Sequence, residues 1–214
     1  MTIAIPRLDR TTTADRGLTI ADFFVPIRVG ERVNARVRDV ALVVAGALFI
    51  YLTSRIVIPI PGNPIPITGQ TFGVLLVGGA LGLRRGLVAV ALYVLLGVIG
   101  LPFFAEGKGG LSVIWGPSGG YLIGFVVCGA VVGRLAELGW DRKIGGAVGA
   151  MIVGSAVIYA IALPWLKVVT GATVEQTINI GLLPFVVGDT LKILLAAVLF
   201  PAAWWVVGRR PDDR

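Results

Sequence analysis

The chain of 214 residues has no histidine and a single cysteine, Cys128. It therefore offers no intrachain disulfide, no metal centre of Cys and His ligands, and no catalytic triad that needs an imidazole base. Cys128 reads as filler inside a helix. Charge is also scarce: Asp, Glu, Lys and Arg make up 14% of residues, against about 25% in soluble domains. The pattern G-x-x-x-x-G-K-[ST], which cradles nucleotide phosphates, is missing. The opening "MTIAIPRLDRTTTADRG" lacks the basic start and apolar core of a secretory signal.

What is present is built for lipid. Hydrophobic residues make up 56% of the chain, mean hydropathy is +0.90, and there are 30 glycines, which suit close helix packing in a bilayer. The net charge of +7 is spread in short clusters between apolar runs, a pattern of membrane topology rather than of nucleic-acid binding. Residues 1–38 read as a polar, Arg-rich tail and residues 39–214 as a membrane domain. Six runs of roughly 20 residues, the length that crosses ~30 Å of hydrocarbon, fall at 39–57, 66–83, 86–104, 118–138, 145–165 and 183–206. The expected fold is thus an all-α integral membrane protein of six transmembrane helices with long extracytoplasmic loops.

Lys and Arg set its orientation. With both termini cytoplasmic, the inner side carries the seven Arg of residues 1–38 and Arg84, Arg85, Arg134, Arg142, Lys143, Arg209, Arg210 and Arg214; the outer side carries only Arg55, Lys108 and Lys167. Trp115 and Trp165 then sit near the outer interface, and Trp140, Trp204 and Trp205 near the inner one. Two outer loops have unusual compositions. "RIVIPIPGNPIPITGQT" holds four prolines and should be extended and stiff. "GLPFFAEGKGGLSVIWGPSGGYL" holds seven glycines and two prolines and can fold back tightly. Together they suggest a lid and a pocket wall, against the plainer alternative of ordinary connectors.

The last apolar run, "GLLPFVVGDTLKILLAAVLFPAAWW", carries Asp189 and Lys192 three residues apart, on one helical face. Charges at that depth usually face a cavity or a partner; the alternative is an ion pair that only glues helices together. An acceptor-only carboxylate beside a donor-only ammonium suits a neutral group with both N–H and C=O, such as a cyclic urea. Gln70, in "TGQT", either reaches the same cavity or is solvated with Thr71 beside a cap at Thr68. Tyr121 and Phe185 wall an apolar ring or serve as packing. Lys108 receives a ligand carboxylate or pairs with Glu106 in solvent. "ALVVA" from Ala41 to Ala45, "GAVVG" at Gly129–Gly133 and "GGAVG" at Gly145–Gly149 are small-xxx-small motifs. Most of these pack helices within one protein, but an exposed one lets a partner's helix dock closely.

"PITGQT", "GLPFF…GGLSVIWGPSGGYLIGF" and "PFVVGDTLK" resemble the signature stretches of the BioY family, the biotin-specific substrate-capture subunits (S components) of energy-coupling-factor (ECF) transporters. The likeness spans residues 40–207. It implies a six-helix S-component bundle in the cytoplasmic membrane that binds biotin near its outer face, with no cofactor, no catalysis and no nucleic acid. By resemblance, Asp189 and Lys192 contact the ureido ring. The Gly-rich loop, with Gly110, Ser118, Gly120 and Tyr121, matches the one that closes over the ligand. The resemblance also implies docking, through Ala41 and Ala45, onto a transmembrane coupling subunit that carries two ATPases. "GPSGG" has Ser where the family often has Thr, which keeps the hydroxyl, and "AEGKGG" is unusually charged for that loop. Other readings remain: an S component for thiamine or riboflavin, an intramembrane enzyme using Asp189, or a structural protein with a packing ion pair.

Overall fold

A computed structural model describes residues 19–24 and 32–207. In chain order these form α1 (Ile20–Phe24), α2 (Arg32–Ser54), β1 (Val57–Ile58), β2 (Ile67–Thr68), α3 (Gln70–Val98), α4 (Leu111–Trp115), α5 (Gly119–Glu137), α6 (Ile144–Thr170), α7 (Val174–Gly181) and α8 (Leu183–Val207), with one-turn 3-10 helices at Ala105–Gly107 and Trp140–Arg142. Among the described residues, five helices are long and apolar enough to cross a membrane. Their outer surfaces are aliphatic, for example Val40, Val44, Leu48 and Leu52 on α2 and Val187, Leu191, Leu194 and Val198 on α8. Leaving such surface exposed is unfavourable in water and natural in lipid. The molecule is a multi-pass helical membrane protein.

The second and third predicted spans are the two halves of α3, which doubles back at Gly82 (φ 82°, ψ −178°). The Gln70 amide donates to the Tyr93 hydroxyl, although a straight helix would hold residues 23 apart at a separation of about 34 Å. At the bend the freed N–H of Leu83 donates to Glu137 Oε1 at 2.9 Å. The halves touch through glycine: a Cβ placed on Gly86 would lie 3.1 Å from the Gly78 Cα, and one on Gly78 would lie 3.0 Å from the Gly129 carbonyl oxygen. "GAVVG" therefore does pack helices, with Gly133 set against the Gly82 bend. "GGAVG" instead leaves room for Trp140, whose carbonyl oxygen would lie 2.3 Å from a Cβ on Gly146.

The helix of the predicted 66–83 span starts only at Gln70, so its straight part, 70–81, is about 18 Å long at 1.5 Å per residue and does not match the ~30 Å hydrocarbon thickness by itself. The residues before it pair as a short antiparallel ladder, Val57 with Thr68 and Ile58 with Ile67, so the Pro-rich loop is non-helical and extended at both ends, as expected, and folds back as a hairpin. The tail boundary at residue 38 also moves. Helix α2 begins at Arg32, and Thr19, Ile20 and Ala21 are buried against the bundle. There Asp22 accepts from both terminal nitrogens of Arg85 at 2.8 Å. Burial opposes that carboxylate's charge, but the Arg85 guanidinium and Thr19 outweigh it and hold its pKa below the usual value. Expectations for residues 1–18, 25–31 and 208–214, including Arg209, Arg210 and Arg214, lie outside the described residues.

Candidate functional site

The elements converge on a cavity at one end of the bundle, the end that carries Arg55, Lys108 and Lys167. Arg84, Arg85, Arg134, Arg142 and Lys143 lie at the other end. Counted with its open mouth, and so including space open to solvent, the cavity measures about 690 Å³. The Pro-rich hairpin covers one side through Pro64, Ile65 and Pro66, and the Gly-rich loop another through Phe104, Ala105 and Glu106. Both loops are tied down. Ser54 donates to the Phe103 carbonyl at 2.9 Å, Arg55 donates to the carbonyls of Pro102 and Phe104, and Asn63 donates to the Ile180 carbonyl at 2.7 Å. Both outer loops singled out in the sequence thus border the cavity.

Asp189, 6% exposed, sits at the polar centre. Its Oδ1 accepts from Lys192 Nζ at 2.9 Å and from Thr71 Oγ1 at 3.3 Å, and its Oδ2 accepts from the Tyr159 hydroxyl. Lys192 also donates to Thr71 Oγ1 at 2.9 Å. A carboxylate has about four lone-pair positions and an ammonium three N–H groups. Three of the first and two of the second are used, so the pair retains one acceptor and one donor. Both residues line the cavity.

Apolar walls stand beside this centre. The Tyr121 ring lies 6.3 Å from Tyr159 and 6.2 Å from Phe185, and Leu122 and Phe125 complete that side. The Tyr121 hydroxyl donates to the Gly181 carbonyl at 2.6 Å and so fixes α7 against α5, its proton thereby committed within the protein. Gln70 lines the cavity, accepting from Thr68 Oγ1 at 3.0 Å and donating to Tyr93, which leaves its amide a second N–H and a second lone pair. At the mouth Lys108 Nζ meets Glu106 Oε2 at 2.6 Å.

Of the residues singled out in the sequence, Asp189, Lys192, Gln70, Ser118, Tyr121, Phe185 and Lys108 line the cavity. Gly110 and Gly120 do not. Gly110, at φ 94°, turns the loop and donates to the Gly97 carbonyl at 2.7 Å. Gly120 is a spacer: a Cβ there would lie 2.5 Å from the Trp165 Cβ. Ala41 and Ala45 are on the outer surface of α2. Thr71 is not solvated but bridges the two charges, and Tyr159 went unnoticed. Its signal was a hydroxyl in the middle of the apolar α6, where such a group needs a partner.

Comparison with known proteins agrees with this architecture. The sequence model of the BioY family matches residues 28–209. A "Biotin transporter BioY" of Thermotoga maritima is 39% identical, covering 74% of this chain and 87% of that protein. A "Biotin transporter BioY" of Rhizobium etli is 36% identical, covering 64% and 76%. The crystal structure of an S component for biotin from an ECF-type ABC transporter superposes with a TM-score of 0.73 at 26% identity, covering 81% of this chain and 94% of that one.

Proposed function

The chain belongs to the BioY family, and from that premise we propose that it is the substrate-capture subunit of a vitamin uptake transporter, binding biotin from outside the cytoplasmic membrane for delivery inward. The observation that carries the reading is the spare hydrogen-bonding capacity of the central pair. One acceptor position on Asp189 and one N–H on Lys192 are left over, and both residues line the cavity. A ureido group brings one N–H and one C=O to that position, and each hydrogen bond to a charged group contributes about 1.5–3 kcal/mol. The empty pair is close to neutral overall, which keeps its burial tolerable. Tyr121, Phe125 and Phe185 would flank the apolar part of the ligand, and Lys108 at the mouth would receive its carboxylate.

Topology and partners follow from the same reading. The basic residues opposite the cavity support a cytoplasmic position for that end and for both termini. The exposed small residues Ala41 and Ala45 support close approach by a helix of a transmembrane coupling subunit. Two ATPases bound to that subunit would drive delivery, because the chain itself carries no nucleotide cradle of the P-loop type. The residues of the site bind, and the reading gives none of them a catalytic role.

The test is titration of the detergent-solubilised protein with biotin, followed by heat or tryptophan fluorescence. Saturable submicromolar binding is expected. Asp189→Asn should weaken it strongly, while Lys167→Gln, at an exposed cation away from the cavity, should not. No saturable binding, or equal effects of the two substitutions, would refute the reading. A tighter response to thiamine or riboflavin would keep the fold and change the vitamin.

A further inference from the structure

We propose that Glu106 is a built-in competitor for the ligand's acid group. Its carboxylate holds Lys108 at the cavity mouth until a carboxylate on the ligand takes its place, so the pair selects ligands with an anionic tail. The inference rests on the ligand reading above and adds a specificity residue to it.

Three observations converge. First, both members of the pair line the cavity, with Oε2 and Nζ 2.6 Å apart. Second, the charge around the cavity is balanced in two separate places. Among the described residues, the ionisable Asp, Glu, Lys and Arg lining it are Asp189 with Lys192 inside and Glu106 with Lys108 at the mouth. A ligand carrying one negative charge upsets this balance unless it displaces a charge of the same sign. Only the mouth can make that exchange cheaply. The Glu106 side chain is 39% exposed and can swing into water, whereas Asp189 is held by three donors.

Third, the backbone is shaped to hold Glu106 where it is. Among the described residues it is the only one other than glycine with positive φ (58°, ψ 18°), followed by Gly107 at 74° and with Gly110 at 94° close by. A side chain with a Cβ is unfavourable in this region, and glycine would sit there without strain. A carboxylate kept in a strained turn beside the one ammonium at the mouth is the kind of local conflict that marks a functional position.

The exchange has a clear consequence. A carboxylate tail gains Lys108 and releases Glu106 to water. A tail whose acid is converted to an amide gains no such contact and leaves the internal pair intact. Neutralising Glu106 therefore helps the acid alone, by up to the small value of an exposed ion pair.

The test compares biotin with its tail carboxamide on the full-length, detergent-solubilised chain by calorimetry. Glu106→Gln should tighten biotin about two- to fivefold and leave the carboxamide unmoved. Lys108→Gln should abolish the preference for the acid, and adding Glu106→Gln to it should then do nothing. Unchanged melting temperatures, expected for positions this exposed, confirm that the variants fold. If the wild type binds both ligands and Glu106→Gln tightens both alike, or neither, this inference falls while the ligand reading stands. If the wild type binds neither, both fall together.

Discussion

Replacing one or both members of the central pair separates a ligand site from structural glue. Lys192→Met removes the countercharge from a carboxylate that is 6% exposed and leaves it only the hydroxyls of Thr71 and Tyr159. Breaking a buried pair by losing one partner costs about 3–5 kcal/mol. Lys192 is 17% exposed beside an open cavity, so the lower end, about 3 kcal/mol, is expected. On the scale of soluble domains of this size that is a fall of about 6–12 °C in Tm. Replacing both residues, Asp189→Leu with Lys192→Met, removes the uncompensated charge, and such replacements are often neutral or stabilising, so Tm should recover towards the wild type. Biotin binding should not recover. Two hydrogen bonds to charged groups, at about 1.5–3 kcal/mol each, are gone, so affinity should fall by at least about a hundredfold at 1.4 kcal/mol per tenfold. Tryptophan-monitored melting in detergent and calorimetric titration measure the two effects independently. A double variant that melts like the wild type and still binds biotin within roughly threefold of it would refute the reasoning and reduce the pair to glue.

Tyr159→Phe removes one neutral donor from Asp189, so biotin should bind about three- to tenfold more weakly, the value of one hydrogen bond; unchanged affinity in the same titration would deny Tyr159 a part in the site. Gly133→Val should abolish the folded state, because a Cβ at this position already lies 2.5 Å from the Gly82 backbone; recovery of monodisperse protein on size exclusion would contradict that packing. Asp141, in the turn before α6, accepts from Trp204 Nε1 at 2.7 Å with its other oxygen buried and unpaired. Burial pushes its pKa up from 3.8 to about 6, with Trp204 and Arg142 offsetting only part of the rise. A raised carboxyl pKa means that the folded state holds the proton more tightly. The stability it contributes is therefore complete below about pH 4 and lost as pH rises through about 6. Melting temperature should fall across that window, and Asp141→Asn, which can keep the bond from Trp204, should flatten the profile.

Much of this was legible in the residues, for identifiable reasons. A helix must be predominantly apolar to cross a bilayer, so its length shows in the sequence; the prediction 183–206 against the observed Leu183–Val207 is an example. Buried charge is expensive and therefore conspicuous, which is how Asp189 and Lys192 stood out in a greasy run. Where backbone conformation rather than solvation decides, the pattern was less clear. Arg84 and Arg85 marked the break between the second and third runs, but hydropathy does not show that the helix starts only at Gln70, so the short 70–81 arm looked like a full span. The α1 segment, Ile20–Phe24, is too short for periodicity to register, yet Asp22 and Arg85 bring it onto the bundle.

The solvent preference of each segment was settled by composition alone, because transfer into lipid is a property of side chains one at a time: a multi-pass bundle, basic residues gathered at one end, two charges within the last span. Which groups meet was settled only by the folded chain. Tyr159 and Thr71, 88 positions apart in the sequence, converge on one carboxylate because three helices pack side by side, and hydrogen bonds act over ångströms in space, whatever the distance along the chain. The partners of Asp189, and with them the donor and acceptor positions left unused, exist only in three dimensions.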